Sequence, residues 1–206
     1  AHLQRLLGFR IYEIPLSFRP TRTVSLQGSG LEITQLNIVQ RSSNLRRIMD
    51  EVEYDSPIGL LRLEADQQGL TAVRFPKPKA TRSSIARPNK SKNRHLKSAV
   101  KELKSYFANG SNPLRTPLSP QCTNFQKSVW IELSKISSGS TTTYGEIADR
   151  IGNPKASRAV GLANNRNLLP IFLPCHRVIG KSGKLVGYSG DIWRKEWLLK
   201  HEGALL

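Results

Sequence analysis

The spacing of apolar residues changes once along the chain, and that change limits the fold more than any other feature. Between Glu51 and Phe75, Leu61, Leu63 and Ala65 alternate with Arg62 and Glu64, and Thr71, Val73 and Phe75 continue the two-residue period. Ser56-Pro57-Ile58-Gly59 and Gln67-Gln68-Gly69 interrupt it as turns, so the segment reads as an antiparallel meander. Leu96, Ala99, Val100, Leu103 and Phe107 then recur at helical spacing and stop at Asn109-Gly110. From Phe125 onward the pattern is mostly helical. The expected class is α+β: a small N-terminal α/β domain with an antiparallel sheet, then a mostly helical C-terminal domain.

Charge and composition set the boundaries. Residues 1–48 lack lysine, carry seven Arg against Glu13 and Glu32, and show no sustained period. They are expected to be an extension of unassigned role, a leader or a gene-model artefact, with Met49 as the native start. The N-terminal domain is expected at 49–110 and carries a Pro-, Ser- and Lys-rich basic insert at 76–94. That insert reads either as a solvated loop or as a loose phosphate contact. Residues 74–104 hold eleven basic residues against Glu102 alone, more than half of the chain's formal net charge of +17. Such an excess favours a polyanionic partner, nucleic acid first. Residues 111–122, with three prolines, are the expected linker, and 123–206 the C-terminal domain. No run of roughly eighteen apolar residues is present, which excludes a membrane-spanning helix. Two cysteines, Cys122 and Cys175, cannot build a disulfide framework or a four-cysteine zinc site. A reduced, intracellular protein is expected.

In the second half, Phe125, Val129, Trp130, Leu133 and Ile136 define a helix with Thr123 as N-cap. Thr143-Tyr144-Gly145-Glu146 is a capping box, Ile147, Ala148 and Ile151 follow, and Gly152-Asn153-Pro154 breaks the chain before a restart from Lys155 to about Asn165. Two short helices about a tight turn outline a helix-turn-helix; an ordinary helical hairpin has the same pattern. Leu169 to Leu173 reads as a short apolar strand, and Asp191 to Glu202 as the last helix.

Three features carry chemistry. Pro174-Cys175-His176-Arg177-Val178 sets a thiol beside an imidazole after that strand. A thiol becomes a nucleophile when a base or positive charge raises its thiolate fraction; a buried cysteine beside a surface histidine is the bland alternative. Neighbouring side chains on an extended segment point apart, so a relay between them needs a water or a bend. Glu202 stands at a helix C-terminus, where the dipole disfavours an acid, and reads as a proton acceptor of raised pKa or as a frayed surface residue. Ala156, Ala159, Gly161 and Ala163 leave the restarted helix little bulk, which suits close approach to another backbone. Arg158 among them could fill a base stack, bind a phosphate or face solvent.

Pro174-Cys175-His176-Arg177-Val178, with Tyr144, Gly152-Asn153-Pro154-Lys155, Arg158, Asn167, Tyr188-Ser189-Gly190 and Glu202, closely resembles the O6-alkylguanine-DNA alkyltransferases over roughly Met49 to Gly203. The resemblance implies a DNA-repair protein whose helix-turn-helix enters the minor groove and rotates the damaged base into a pocket. It assigns Arg158 to the vacated space, Tyr144 to base rotation and the pocket wall, and Asn167 to a hinge between helix and active-site strand. Cys175 becomes the alkyl acceptor, His176 its water-linked base and Glu202 the acid that orients the imidazole. Ala156, Ser157, Asn164, Val178, Tyr188 and Ser189 are implied to contact DNA or the base. The implied partner is double-stranded DNA containing O6-alkylguanine, chiefly O6-methylguanine with O4-methylthymine as a second substrate. The implied protein is a monomer without cofactor or membrane contact, in the nucleus of a eukaryote or the cytoplasm and nucleoid of a prokaryote.

The sequence departs from some members in carrying Asn164 for an apolar pocket residue, Leu168 for a proline, and basic Lys181 and Lys184. Some members hold a structural zinc in the N-terminal domain; residues 49–121 contain no cysteine and only His95, so none is expected here. Cys122 reads as a spectator. Two rival readings are a lesion sensor without chemistry, which Cys175 argues against, and a cysteine hydrolase, which leaves the helix-turn-helix unexplained.

Overall fold

Alternation in the first segment becomes a three-stranded sheet. The computed structural model describes residues 50–76, 91–110 and 113–205; the 1–48 extension, Met49 and the 77–90 part of the basic insert lie outside them. Strands β1 (Asp50–Ser56), β2 (Gly59–Ala65) and β3 (Leu70–Arg74) pair antiparallel in chain order. Leu61, Leu63 and Ala65 are fully buried, while Arg62 and Glu64 face outward and pair with Glu53 (3.0 Å) and Arg74 (2.6 Å). The two-residue period does not carry into β3, where Leu70 to Val73 are all buried. The chain crosses this strand's free edge. Leu70 N donates to Pro117 O, Ser119 N to Leu70 O, and Val73 N to Leu168 O, at 2.6–2.8 Å. Gly69 permits the crossing, since a Cβ there would lie 2.3 Å from Pro117 O.

Helix α1 (Arg94–Asn109) starts at Asn93, whose side chain accepts from His95 N and Leu96 N, and ends at Gly110 in the left-handed conformation. Its buried face is His95, Leu96, Ala99, Leu103 and Tyr106. Phe107, expected to point inward, is only partly buried. Tyr106 takes that place, three residues beyond Leu103.

In the second half, Thr123 and Gln126 form a capping box on α2 (Asn124–Ser134), and Thr143 and Glu146 another on α3 (Tyr144–Arg150). The restart is a 3-10 turn at Pro154–Ala156, from which α4 runs over Ser157–Asn165. Trp130 is fully buried and its indole N–H donates to Ala163 O (3.0 Å), fixing α2 against α4. Burying one such side chain is worth roughly 2–3 kcal/mol. Strands β4 (Thr142–Thr143) and β5 (Val178–Ile179) make a short parallel pair, and α5 (Ile192–His201) is the last described helix, with Glu202 as its C-cap.

The strand expected at Leu169–Leu173 is instead a tight turn. Ile171 has φ 75°, Leu173 N donates to Leu169 O (2.8 Å), and Asn167 Oδ1 accepts from Leu169 N (2.9 Å). A side chain that captures backbone donors removes them from a ladder. Residues of the sheet, α1, α2, α4 and α5 share one core. Among the described residues no helix is long and apolar enough to cross a membrane.

Candidate active site

Cys175 to Arg177 form a 3-10 turn, not the extended segment expected from sequence, so the bend needed to bring neighbouring side chains together is built into the backbone. Asn167 holds the turn's approach: its Nδ2 donates to Leu173 O (2.8 Å). The sequence left open a thiol activated by a neighbouring base and a buried cysteine. Cys175 is 1% exposed, and burial pushes its thiol up to about 11 against the opposing influence of Asn167 and the Lys195 charge. At neutral pH the resting group is a thiol.

Beside it, His176 Nε2 lies 3.0 Å from Glu202 Oε1, with both side chains fully buried. A carboxylate only accepts, so this nitrogen carries the proton and Nδ1 keeps its lone pair. Nδ1 is buried and makes no hydrogen bond within the described protein. Burial holds His176 below its ordinary value although Glu202 opposes it, which leaves a neutral imidazole at pH 7. Glu202 is not the acid of raised pKa expected from its place on the helix. Burial works in that direction, but hydrogen bonds from His176 and Arg177, and the charges behind them, bring it down to about 2. Arg177 grips it twice, Nε to Oε2 and Nη2 to Oε1, both 2.8 Å, and Nη1 reaches Ile136 O. A third donor, Tyr106 Oη of α1, lies 2.6 Å from Oε1.

The segment 181–190 passes close to the thiol. Tyr144 Oη donates to Val186 O (2.9 Å), and Lys195 Nζ donates to Val186 O (2.7 Å) and Val178 O (2.6 Å). Asn164 Nδ2 stands between Cys175 O and Gly187 O, 3.4 Å from each. Both neighbours are acceptors, so the amide nitrogen must face them and Oδ1 is left as a buried acceptor with no partner among the described residues. Tyr188 Oη is likewise buried and without a partner among them. Burial raises both tyrosines, Tyr144 to about 12, and the Cys175 charge would add to it. Ser189 is exposed, and Val178 is buried in β5. Lys195 is fully buried, and burial lowers it to about 8.

Arg158, Ala159 and Lys155 are exposed, and Ala156, Ser157 and Gly161 partly so. Ala163 departs from the expected small outward stripe: it is buried, and its carbonyl holds Trp130. The structure thus gathers Cys175, His176, Glu202, Asn164, Asn167, Val178 and Tyr188 in the interior. It leaves Ala156, Ser157, Arg158 and Ser189 at the surface, with Tyr144 between. Sequence reasoning missed Lys195 and Tyr106 and gave Arg177 no role. Lys195, Leu198, Leu199 and Glu202 follow the helical period, so the lysine's inward position was legible.

Residues 124–204 match the DNA-binding domain of 6-O-methylguanine DNA methyltransferase, and residues 52–120 its ribonuclease-like domain. A Methanosarcina acetivorans methylated-DNA–protein-cysteine methyltransferase is 49% identical over 153 residues, 73% of this chain and 96% of that protein. The crystal structure of Mycobacterium tuberculosis O6-methylguanine methyltransferase is 42% identical, covers 76% of this chain and 94% of its own, and superposes with a TM-score of 0.66. The M. tuberculosis protein in complex with DNA gives 42%, 74%, 91% and 0.63.

Proposed function

This chain belongs to the 6-O-methylguanine DNA methyltransferases, the methylated-DNA–protein-cysteine methyltransferases of DNA repair, and on that premise we propose that Cys175 is its alkyl acceptor. The observation that carries the assignment is a buried free thiol followed directly by a neutral imidazole whose Nε2–H is held by an ionised carboxylate.

The chemistry follows from the protonation states. Glu202 fixes the His176 tautomer, so Nδ1 accepts the thiol proton through a bridging water. The Cys175 thiolate attacks the O6-alkyl carbon, the S–C bond forms as the C–O6 bond breaks, and the electron pair stays on guanine. Tyr144, protonated at rest, passes a proton to the departing guanine and is reprotonated by the one that His176 took from the thiol, so both side chains end neutral. The product is a thioether with no good leaving group, so one chain repairs one base. Atoms and charge balance between thiol and alkylguanine, and no cofactor enters.

Burial of the sulfur makes segment 181–190 part of the mechanism. Tyr144 Oη donates to Val186 O of this segment, and in this reading that contact parts before a base reaches the sulfur. Exposed Lys155 and Arg158, with Ala156, Ser157, Ala159 and Gly161 beside them, fit a helix seated in the minor groove of duplex DNA. Arg158 fills the gap left by an extruded O6-alkylguanine, and Asn167 links helix to thiol. The orphan Asn164 Oδ1 and Tyr188 Oη, with Ser189, meet the guanine edge, and Val178 lines the pocket. The substrate is chiefly O6-methylguanine, with O4-methylthymine second, and the protein acts as a monomer.

Incubation with a duplex carrying one O6-methylguanine, followed by peptide mass analysis, tests the assignment. The peptide containing Cys175 gains one methyl group, and Cys175→Ala keeps DNA affinity while losing transfer. Methylation at Cys122, or none, contradicts the reading.

A further inference from the structure

The carboxylate of Glu202 is shared between two parts of the fold. Tyr106 lies on α1, 96 residues away in sequence, and is 2% exposed. Its hydroxyl donates to Glu202 Oε1 at 2.6 Å, while its own carbonyl accepts from His201 Nε2 at 2.9 Å. Two consecutive residues at the end of α5 therefore clamp one tyrosine at both its ends. The approach is built in. A Cβ on Gly110, the cap of α1, would lie 2.5 Å from His201 O, and only glycine allows the two helix ends to meet. The Tyr106 and His201 rings also meet edge to face at 5.5 Å.

We propose that Tyr106 is a positioning residue for methyl transfer, setting the proton affinity of His176 by sharing the oxygen of Glu202 that the imidazole uses. The inference rests on His176 as the base. Oε1 takes three donors, Tyr106 Oη, His176 Nε2 and Arg177 Nη2, whereas Oε2 takes Arg177 Nε. Arg177 alone fixes the carboxylate's plane, so the tyrosine is not needed to hold Glu202 in place. Its effect is electrostatic. Each donor on Oε1 draws charge from the atom that would stabilise an imidazolium, and loss of one leaves the imidazole more basic. The titratable and charged groups around the pair are His176 and Arg177 of the 3-10 turn, Tyr106 of α1, Tyr188, and Lys195 and His201 of α5. Only Tyr106 among them reaches Glu202 from the N-terminal part of the fold.

Activity through a neutral histidine is lost as pH falls through its pKa, so the readout is the acid limb of single-turnover methyl transfer from O6-methylguanine duplex to the full chain. In Tyr106→Phe this limb moves to higher pH by roughly half to one unit. Replacing Tyr106 with 3-fluorotyrosine, a stronger donor of nearly the same size, moves it to lower pH. A packing defect changes the plateau rate and leaves the limb in place. His176→Gln separates the two levels. A wild-type limb in His176→Gln overturns the base assignment and this proposal with it. A limb lost in His176→Gln but unmoved in both tyrosine variants overturns the role of Tyr106 alone.

Discussion

At the residue scale, the site is defined by polar atoms with unspent hydrogen bonds. Backbone carbonyls near Cys175 already take donors: Val178 and Val186 from Lys195, Cys175 and Gly187 from Asn164, Leu173 from Asn167. Among the described residues near Cys175, Asn164 Oδ1 and Tyr188 Oη are left over as buried acceptors besides the proposed base, His176 Nδ1, and only the first cannot also donate. O6-methylguanine brings one donor group on its pairing edge, the exocyclic amine. A buried acceptor left unpaired costs about 1–3 kcal/mol, so a substrate lacking the amine reacts roughly tenfold or more slowly. Comparing O6-methylguanine with O6-methylhypoxanthine checks this. Wild type prefers the first, and Asn164→Leu, similar in size but apolar, narrows the gap; an unchanged preference in the variant rejects the acceptor role. The motif Pro174–Val178 and Glu202 were legible because their chemistry is distinctive. The charge state of Glu202 was not, because it depends on His176 and Arg177 meeting it in space. The helix position predicted a raised pKa, and burial works the same way, whereas hydrogen bonds from His176 and Arg177 outweigh both.

At the element scale, capping boxes and glycines marked the helices well, and Thr123, Thr143 and Gly110 cap them as expected. The turn at 169–173 was hidden because apolar runs carry no sign of the side chain that will intercept their backbone; here Asn167 does so. The segment 181–190 has the larger functional weight. Gly187 at φ 67° lies so close to Tyr144 that a Cβ would fall 2.5 Å from the tyrosine hydroxyl, and the tyrosine closes the segment through Val186. Tyr144→Phe removes both the latch and the proposed proton donor. In DNA-free protein it therefore raises the rate at which iodoacetamide modifies Cys175, and with O6-methylguanine DNA it lowers methyl transfer, each by roughly tenfold for a bond worth about 1–1.5 kcal/mol. Equal thiol reactivity in the two proteins contradicts the closing role of this contact.

At the scale of the whole molecule, the change of apolar period announced a sheet followed by helices, and the structure has that order. What the sequence did not disclose is how far the two parts share one core and one site. Tyr106 was invisible as a functional residue, since its partner lies at the far end of the chain and Phe107 beside it has the same apolar weight. In the proposed function the fold around Cys175 yields a thiol that gives up its proton, takes an alkyl group and holds it. The most direct test is a titration of O6-methylguanine duplex against a fixed amount of active protein, counting guanines restored per chain. The account predicts a plateau at one guanine per chain, with the remaining protein inert toward fresh DNA. Continued repair beyond one equivalent, or a plateau unaffected by Cys175→Ala, would contradict it.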